Sequence, residues 1–365
     1  MIVSRLGMDG FRNLETGCFL PEPGVNILYG DNAQGKTNLL EALWLFTGGR
    51  SFRGAKESEM TAFGRESARL ELSFTAGERE QTAELSIQRR RSAVLNGIPQ
   101  AAASRLAGVF CAVVFSPAHL SLIKDGPEGR RRFIDAAYVQ LRPGYVRTLT
   151  EYNRILQQRN ALLKGIRKGE YLPDQLDIWD GRLAAAGARV SAARLAYCGK
   201  IREPARQIYA GLSGGREALE LIYESSFGYE GEPPEAAAAA LLEALQQRRG
   251  ADLAAGFTTA GPHRDDLLVT IDGLPVRIYG SQGQQRSAVL ALKLSEASLL
   301  RDVTGEQPVA LLDDVMSELD ISRQDYILNH IHGWQVFITC CEPAAVLRMT
   351  GGALFHVKQG SITRQ

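Results

Sequence analysis

Gly30-Asp31-Asn32-Ala33-Gln34-Gly35-Lys36-Thr37 meets the pattern G-x-x-x-x-G-K-[ST] at every fixed position. Each position has a physical duty. The glycines let the backbone curl until successive N–H groups point inward at phosphate oxygens. Lys36 brings a point charge to the β- and γ-phosphates, and the Thr37 hydroxyl offers an oxygen to Mg2+. A helix starting here adds the positive end of its dipole. The flanks agree with this reading. Val25 to Tyr29 is a short apolar run stopped by Gly30, which predicts a buried strand, and Asn38 to Phe46 has helical character. The segment is therefore expected to bind ATP, with Lys36 also serving catalysis.

A hydrolytic site of this kind needs a second carboxylate near the metal. Val309-Ala310-Leu311-Leu312-Asp313-Asp314 supplies it as an apolar strand ending in two acids. Asp313 would hold Mg2+ together with Thr37, and Asp314 would face the γ-phosphate and orient or deprotonate the attacking water. Met316-Ser317-Glu318-Leu319-Asp320 follows directly. In this position it resembles the loop of ATP-binding-cassette (ABC) ATPases that crosses a dimer interface. That class also presents a signature loop to the γ-phosphate in trans. Two segments compete for the role. Leu212-Ser213-Gly214-Gly215-Arg216 looks like the transporter version but lies far from Asp313 and precedes a strand-like run. Ser281-Gln282-Gly283-Gln284-Gln285 lies close before Asp313 and leads into a strong helix. Ser281, Gly283 and Gln284 are taken as the signature, and Leu212 to Arg216 as a helix C-terminal turn.

The rest of the chain sets the frame. Its 365 residues suit one large domain or two ordinary ones, and 45% hydrophobic with 23% charged residues describes a folded soluble protein. The net charge of +1 provides no global field, so any polyanion site must be a local patch. Five cysteines without a C-x-x-C spacing read as reduced thiols in a reducing compartment. The N-terminus lacks a signal-peptide layout. The longest apolar run, Val109 to Phe115, is far short of the roughly 20 residues of a membrane span, so a cytoplasmic protein without a membrane partner is expected.

Texture changes along the chain. The first 118 residues are strand-rich: Ile2 to Met8 as an edge strand, Ala68 to Phe74, Thr82 to Gln88, and a turn at Asn96-Gly97. From Gly129 to about Gly256 the chain is rich in Ala, Leu, Arg and Gln. Long helices are predicted over Arg130 to Gln140, Tyr145 to Ile166 and Asp174 to Ile208, pairing antiparallel as a bundle or short arm. Glu232 to Ala240 is either a loop leading into a helix or a surface excursion. The last third returns to α/β character, with Leu267 to Ile271 and Val276 to Ile278 flanking an Asp272-Gly273 turn and a closing hairpin at the end. The fold class is α/β: an ABC-type P-loop ATPase head built from both chain ends (1–118 and 257–365), with an inserted α-helical arm domain (119–256).

Four further segments carry a narrower resemblance: Phe11-Arg12-Asn13, Gly49-Arg50-Ser51-Phe52-Arg53, Gly261-Pro262-His263-Arg264-Asp265-Asp266 and Ser281-Gln282-Gly283-Gln284-Gln285-Arg286. Together with Leu311 to Asp320, and in this order over nearly the whole chain, they resemble the RecF family of bacterial recombination-repair ATPases, relatives of SMC proteins. The resemblance implies an ATP-driven homodimer that clamps DNA at single-strand gaps and helps place RecA with RecO and RecR, hydrolysing ATP weakly. It also implies roles in DNA replication, recombination and the SOS response to damage, and adds Arg12 to the nucleotide site. Three positions depart from cassette habit. Asp314 stands where Glu is usual, Ser116 where many cassettes have Gln, and Cys340 where a His is expected. Slow hydrolysis follows from the shorter Asp314 side chain, and the γ-phosphate sensors stay unassigned.

DNA would find its charge in the arm. Gly129 to Glu170 holds ten basic residues against three acidic ones. Arg130, Arg131, Arg132, Arg154, Arg159 and Lys164 are the candidate phosphate contacts, and a solvated helix face is the competing reading. Arg89-Arg90-Arg91 is a weaker candidate. His263 either positions backbone near a dimer interface or is a satisfied turn residue. Two other functions stay open at this level: a P-loop kinase, which would need an acceptor pocket and no signature loop, and a transporter-type cassette subunit, which would need a coupling surface for a membrane partner.

Overall fold

A computed structural model describes residues 1–231 and 234–365, so Glu232 and Pro233, at the start of the ambiguous alanine-rich stretch, lie outside the described residues. The rest of that stretch enters the helix Pro234–Gln247.

The apolar runs assemble first. Val25–Tyr29, Val309–Asp313, Val336–Cys340 and Ala112–Phe115 are parallel neighbours in a six-stranded sheet, completed by Ala353–Lys358 and the antiparallel edge Ser361–Arg364. Both faces of the central strands are covered, which is why they read as continuous apolar runs rather than alternating ones. Ile27, Val113, Leu312 and Ile338 point to one side. Leu28, Val114, Leu311 and Phe337 point to the other.

The second side is closed by an antiparallel sheet of six strands: Gly17–Phe19, Ile2–Asp9, Ala68–Ala76, Arg79–Ile87, Arg91–Leu95 and Ile98–Gln100. Its strands alternate buried and exposed, as one-sided sheets do. The helix after the phosphate loop, Lys36–Leu45, lies in the core between the two sheets. Ile2–Asp9 pairs on both sides, with Gly17–Phe19 and Ala68–Ala76, so it is an interior strand and not the edge expected from its position at the chain start.

The first side is covered by helices. Gln282–Thr304 and the 38-residue Leu176–Ser213, about 57 Å long at 1.5 Å per residue, share one core with the sheet. Leu176–Ser213 also packs on Tyr145–Arg167, the predicted antiparallel pair. A third sheet joins Leu219–Glu224, from the expected arm, to Asp266–Ile271 and Leu274–Pro275, from the expected head. The 256/257 boundary therefore divides segments that share a sheet and a core. After the Asp272-Gly273 turn, Val276–Tyr279 forms a helical turn rather than the expected second strand.

The charge patch of the arm changes most. Arg159 is fully buried and bonds Asp180 (2.7 Å), Asp252 (2.6 Å) and the Thr258 hydroxyl (2.9 Å). Arg130 is buried too. It grips Asp266 with both nitrogens (2.7 and 2.8 Å) and caps the carbonyls of Leu122, Ile123 and Asp125. Neither side chain is exposed for a phosphate contact. The sequence shows their charge but not the acids that fold back on them. Arg132, Arg154 and Lys164 are exposed, and Arg131 is partly covered. In the weaker patch, Arg91 is tied to Glu57 (2.9 Å) and the Gly49 carbonyl.

Candidate nucleotide site

Parallel strands put their carboxyl ends on one side, and the phosphate loop grows from one of them. Val336–Cys340 lies between the strand ending at Tyr29 and the strand ending at Asp313. Thr339 thereby becomes a link between the two motifs. The hydroxyls of Thr37 and Thr339 both donate to Asp313 Oδ1, at 2.7 and 3.1 Å, and the Asp314 N–H donates to Thr339 Oγ1 at 2.8 Å. Burial pushes the Asp313 carboxyl above the usual aspartate range and the Asp314 charge adds to this, while the two threonine donors oppose it. Sequence reasoning found Thr37, Asp313 and Asp314 but missed Thr339, because a threonine in an apolar run reads as a strand former.

Gly35 caps the helix at φ +116°, a region side chains rarely enter. Gly30, at φ +149°, lies so close to the Val357 carbonyl that no Cβ fits there. Lys36 is buried and donates to the Gly30 (2.6 Å) and Asp31 (2.8 Å) carbonyls. The loop is also held from outside. The turn of the last hairpin binds Gln34, through Gln359 N–H to Oε1 (2.6 Å) and Gly360 N–H to its carbonyl (2.9 Å).

Three non-glycine residues with positive φ surround the same cavity: Arg12 (54°), Ala33 (64°) and Asp314 (54°). Such strain concentrates at functional sites. The cavity, about 560 Å3, is lined by Arg12, Asn13, the loop from Asn32 to Thr37, Asn38, Arg53, Phe63 and Asp314 among others. Arg12 is oriented by Glu41, a fully buried carboxylate on the helix after the loop, at 2.9 and 3.0 Å. Glu41 also receives the Ser51 hydroxyl, which explains the Gly49 to Arg53 segment. Phe63 is fully exposed at the cavity.

The expected sensor position shifts by one. The strand runs through Cys340, whose thiol burial pushes up to about 11. The first residue beyond it is Cys341, with its sulfur 3.3 Å from Asn32 Oδ1 and 4.0 Å from Lys36 Nζ. Ser116 is buried, bonds the His119 ring (2.8 Å) and does not line this cavity.

Ser281 caps the helix Gln282–Thr304 in a reciprocal box with Gln284. The Gln284 amide donates to Glu217 (2.9 Å), which also accepts from Tyr209 (2.6 Å). Gly283 and Arg323 close the arrangement, with Arg323 bonding the Gly283 carbonyl and the Ser287 hydroxyl. The rival segment does end the long helix, with Gly214 at φ 67° as its cap. Yet Leu212, Ser213 and Arg216 line the same cavity, about 440 Å3, as Ser281, Gly283 and Gln284. This cavity shares no lining residue with the one at the phosphate loop. Arg286 meanwhile ties the helix to the loop after the carboxylates, at Glu318.

Mg2+ takes oxygen ligands, usually one or two carboxylates with phosphates and water. Thr37 Oγ1 and Asp313 Oδ1, already adjacent, fit that demand. No cluster of three or more His, Cys, Asp or Glu able to hold a metal exists among the described residues.

A phosphate loop, a strand with paired acids and a capped signature helix on this layered sheet define an ABC-type ATPase head of the SMC kind. The RecF/RecN/SMC N terminal domain model matches residues 2–362. An Smc head domain from Pyrococcus furiosus shares the fold at a TM-score of 0.54 and 15% identity. The chain is 40% identical to the DNA replication and repair protein RecF of Agathobacter rectalis, over 99% of each chain, and 39% identical to that of Lachnoclostridium phytofermentans, over 100% of each. A solved structure of the recombination mediator protein RecF-ATPrS in the RecFOR pathway superposes at a TM-score of 0.93 with 37% identity, covering 99% of this chain and 97% of the other. The chain belongs to the RecF family.

Proposed function

We propose that this protein is an ATP-switched DNA-binding protein of recombinational repair, in which ATP joins two copies into a clamp on gapped DNA. The observation that carries the reading is the division of the site. The phosphate loop, Arg12 and Asp314 gather at one cavity, with Asp313 bonded to Thr37 of that loop, while Ser281, Gly283 and Gln284 stand at another. A signature loop is useful only against a γ-phosphate, so a second copy supplies it. RecF relatives named for DNA replication and repair, and those solved with ATP or an analogue in the RecFOR pathway, support the same reading.

In the closed pair, the loop N–H groups and Lys36 hold the β- and γ-phosphates, which requires Lys36 to release the Gly30 and Asp31 carbonyls. Thr37 and Asp313 would hold Mg2+, which would supply positive charge against the phosphate oxygens. Asp314 orients the attacking water from its strained backbone position. Arg12, braced by Glu41, adds a fixed positive charge, and Phe63 offers an aromatic face to the base. Hydrolysis is weak because Asp314 is one methylene shorter than glutamate, and release of phosphate opens the clamp. On DNA, the protein works with RecO and RecR to place RecA. No helix among the described residues is long and apolar enough to cross a membrane.

Sedimentation with and without ATP tests the switch. The wild type is expected to run as a monomer alone and as a dimer with ATP. Asp314→Asn is expected to stay dimeric with ATP and lose turnover by roughly a hundredfold or more, the usual weight of a general base. A chain that stays monomeric with ATP, or an Asp314→Asn variant that turns over ATP as fast as the wild type, contradicts this.

A further inference from the structure

Phe257 is a large apolar side chain left 42% exposed at the junction of arm and head. It is set among cations. The Arg264 guanidinium lies over its ring, 5.0 Å from the centroid. Gly256, its neighbour, packs against Arg167 and Lys164, so that a Cβ there would stand 3.2 Å from Arg167 Nη1 and 3.8 Å from Lys164 Cγ. Arg131 continues the line past His263, whose protonation the charges of Arg264 and Arg131 both oppose and whose pKa burial, above all, pushes down to about 4.

The acids nearby are turned inward. Asp265 accepts from the Tyr223 and Ser191 hydroxyls and the Ser226 N–H. Asp266 is spent on Arg130, and Asp252 on Arg159 and Thr259. By contrast, Arg131, Lys164, Arg167 and Arg264 form no ion pair with a carboxylate among the described residues, and their hydrogen bonds go only to backbone carbonyls. The segment Gly261 to Asp266 thus divides its labour. Its two aspartates and His263, bonded to the Tyr152 hydroxyl (2.6 Å) and the Thr258 carbonyl (3.0 Å), fasten arm to head. Its arginine lies exposed, without an ion pair among the described residues, over the Phe257 ring.

We infer that Phe257 and Arg264 form a stacking platform for an unpaired DNA base, with Lys164, Arg167 and Arg131 holding the flanking phosphates. An aromatic ring partly exposed among unpaired cations has the chemistry of single-strand recognition: stacking suits every base, and the cations follow the backbone. The inference rests on the DNA-binding reading above and deepens it. The platform would let the clamp sense single-stranded DNA beside a duplex.

The test measures binding of the ATP-loaded full chain to a gapped duplex, to the same duplex without a gap, and to single-stranded DNA, at several salt concentrations. Phe257→Ala is expected to weaken gapped and single-stranded binding roughly tenfold, the weight of one stacked base, and to leave intact-duplex affinity and the salt slope unchanged. Phe257→Trp should retain binding. A 2-aminopurine in the gap should be quenched by the wild type and by Phe257→Trp, but not by Phe257→Ala. Lys164→Ala with Arg167→Ala should weaken all three substrates and flatten the salt slope. Unchanged gapped binding by Phe257→Ala, with the lysine–arginine pair still lowering affinity, overturns the platform and leaves DNA binding standing; the exposed ring would then belong to a protein contact. Failure of the wild type to bind any DNA with ATP removes the DNA reading itself.

Discussion

Asp313 shows how one residue serves two opposed demands. A metal site needs a charged carboxylate, but burial raises the cost of that charge. The folded chain therefore binds the Asp313 proton more tightly than the unfolded chain does. The group costs stability at pH values above its raised pKa, and the cost fades as pH falls through that value toward the ordinary one. Asp313→Asn is expected to raise the thermal midpoint of the nucleotide-free protein at neutral pH, with an advantage that shrinks on acidification. The same change should abolish the stabilisation that Mg2+ and ATP together provide. A lowered midpoint at neutral pH would show that the carboxylate is a net structural asset. At this scale the sequence offered candidates where chemistry demands a residue type at a fixed spacing, and the structure places Thr37 beside Asp313, Asp314 at the loop cavity and Ser281 at a separate one. It was silent on Thr339, Glu41, Phe63 and Glu217, whose importance comes from neighbours distant in sequence. Cys341 was missed because strand ends are uncertain by a residue or two.

Elements were legible where their periodicity was strong. The buried parallel strands, the alternating antiparallel ones and the long helices all formed near their expected bounds. The errors have physical causes. Ile2–Asp9 gained a second partner from a three-residue strand too short to announce itself. Val276–Tyr279 turned helical although its β-branched residues favour a strand. The basic arm misled most, because charge along a helix does not reveal which cations are buried. Arg159, held by two fully buried aspartates, fastens Tyr145–Arg167 to Leu176–Ser213 and Arg249–Ala255. Arg159→Ala leaves buried Asp252 without a cation and Asp180 with Arg249 alone, and should destabilise the protein by about 3–5 kcal/mol. Chemical denaturation measures this, and a loss under about 1 kcal/mol would mean that water replaces the guanidinium. The same variant should leave the DNA salt slope of the remaining folded protein intact, because Arg159 reaches no solvent.

Over the whole molecule, arm and head are one body. Tyr197 and Ile201 of the long helix share a core with Leu290 and Leu294 of the signature helix and Leu312 of the acidic strand. The loop after the acids touches that helix at Arg286 through Glu318, and the next helix, Ile321–His330, touches it through Arg323 and Ser287. The large-scale architecture was read correctly as an α/β head from both chain ends with a helical insertion. The three-stranded sheet joining the two was not, since its partners lie on either side of the expected boundary.

The central claim is that each nucleotide site is completed by a second copy. Mixing two inactive variants tests it most directly. Lys36→Ala removes the phosphate-loop cation, and Ser281→Arg blocks the signature. Each homodimer then has two defective sites. A mixed dimer has one site with neither defect, formed by the phosphate loop of the Ser281→Arg copy and the signature of the Lys36→Ala copy. The account predicts that each variant alone lacks ATP turnover and that mixing restores a clear fraction of it. Mixtures as inactive as their components, or a Ser281→Arg variant that hydrolyses ATP alone, would contradict it.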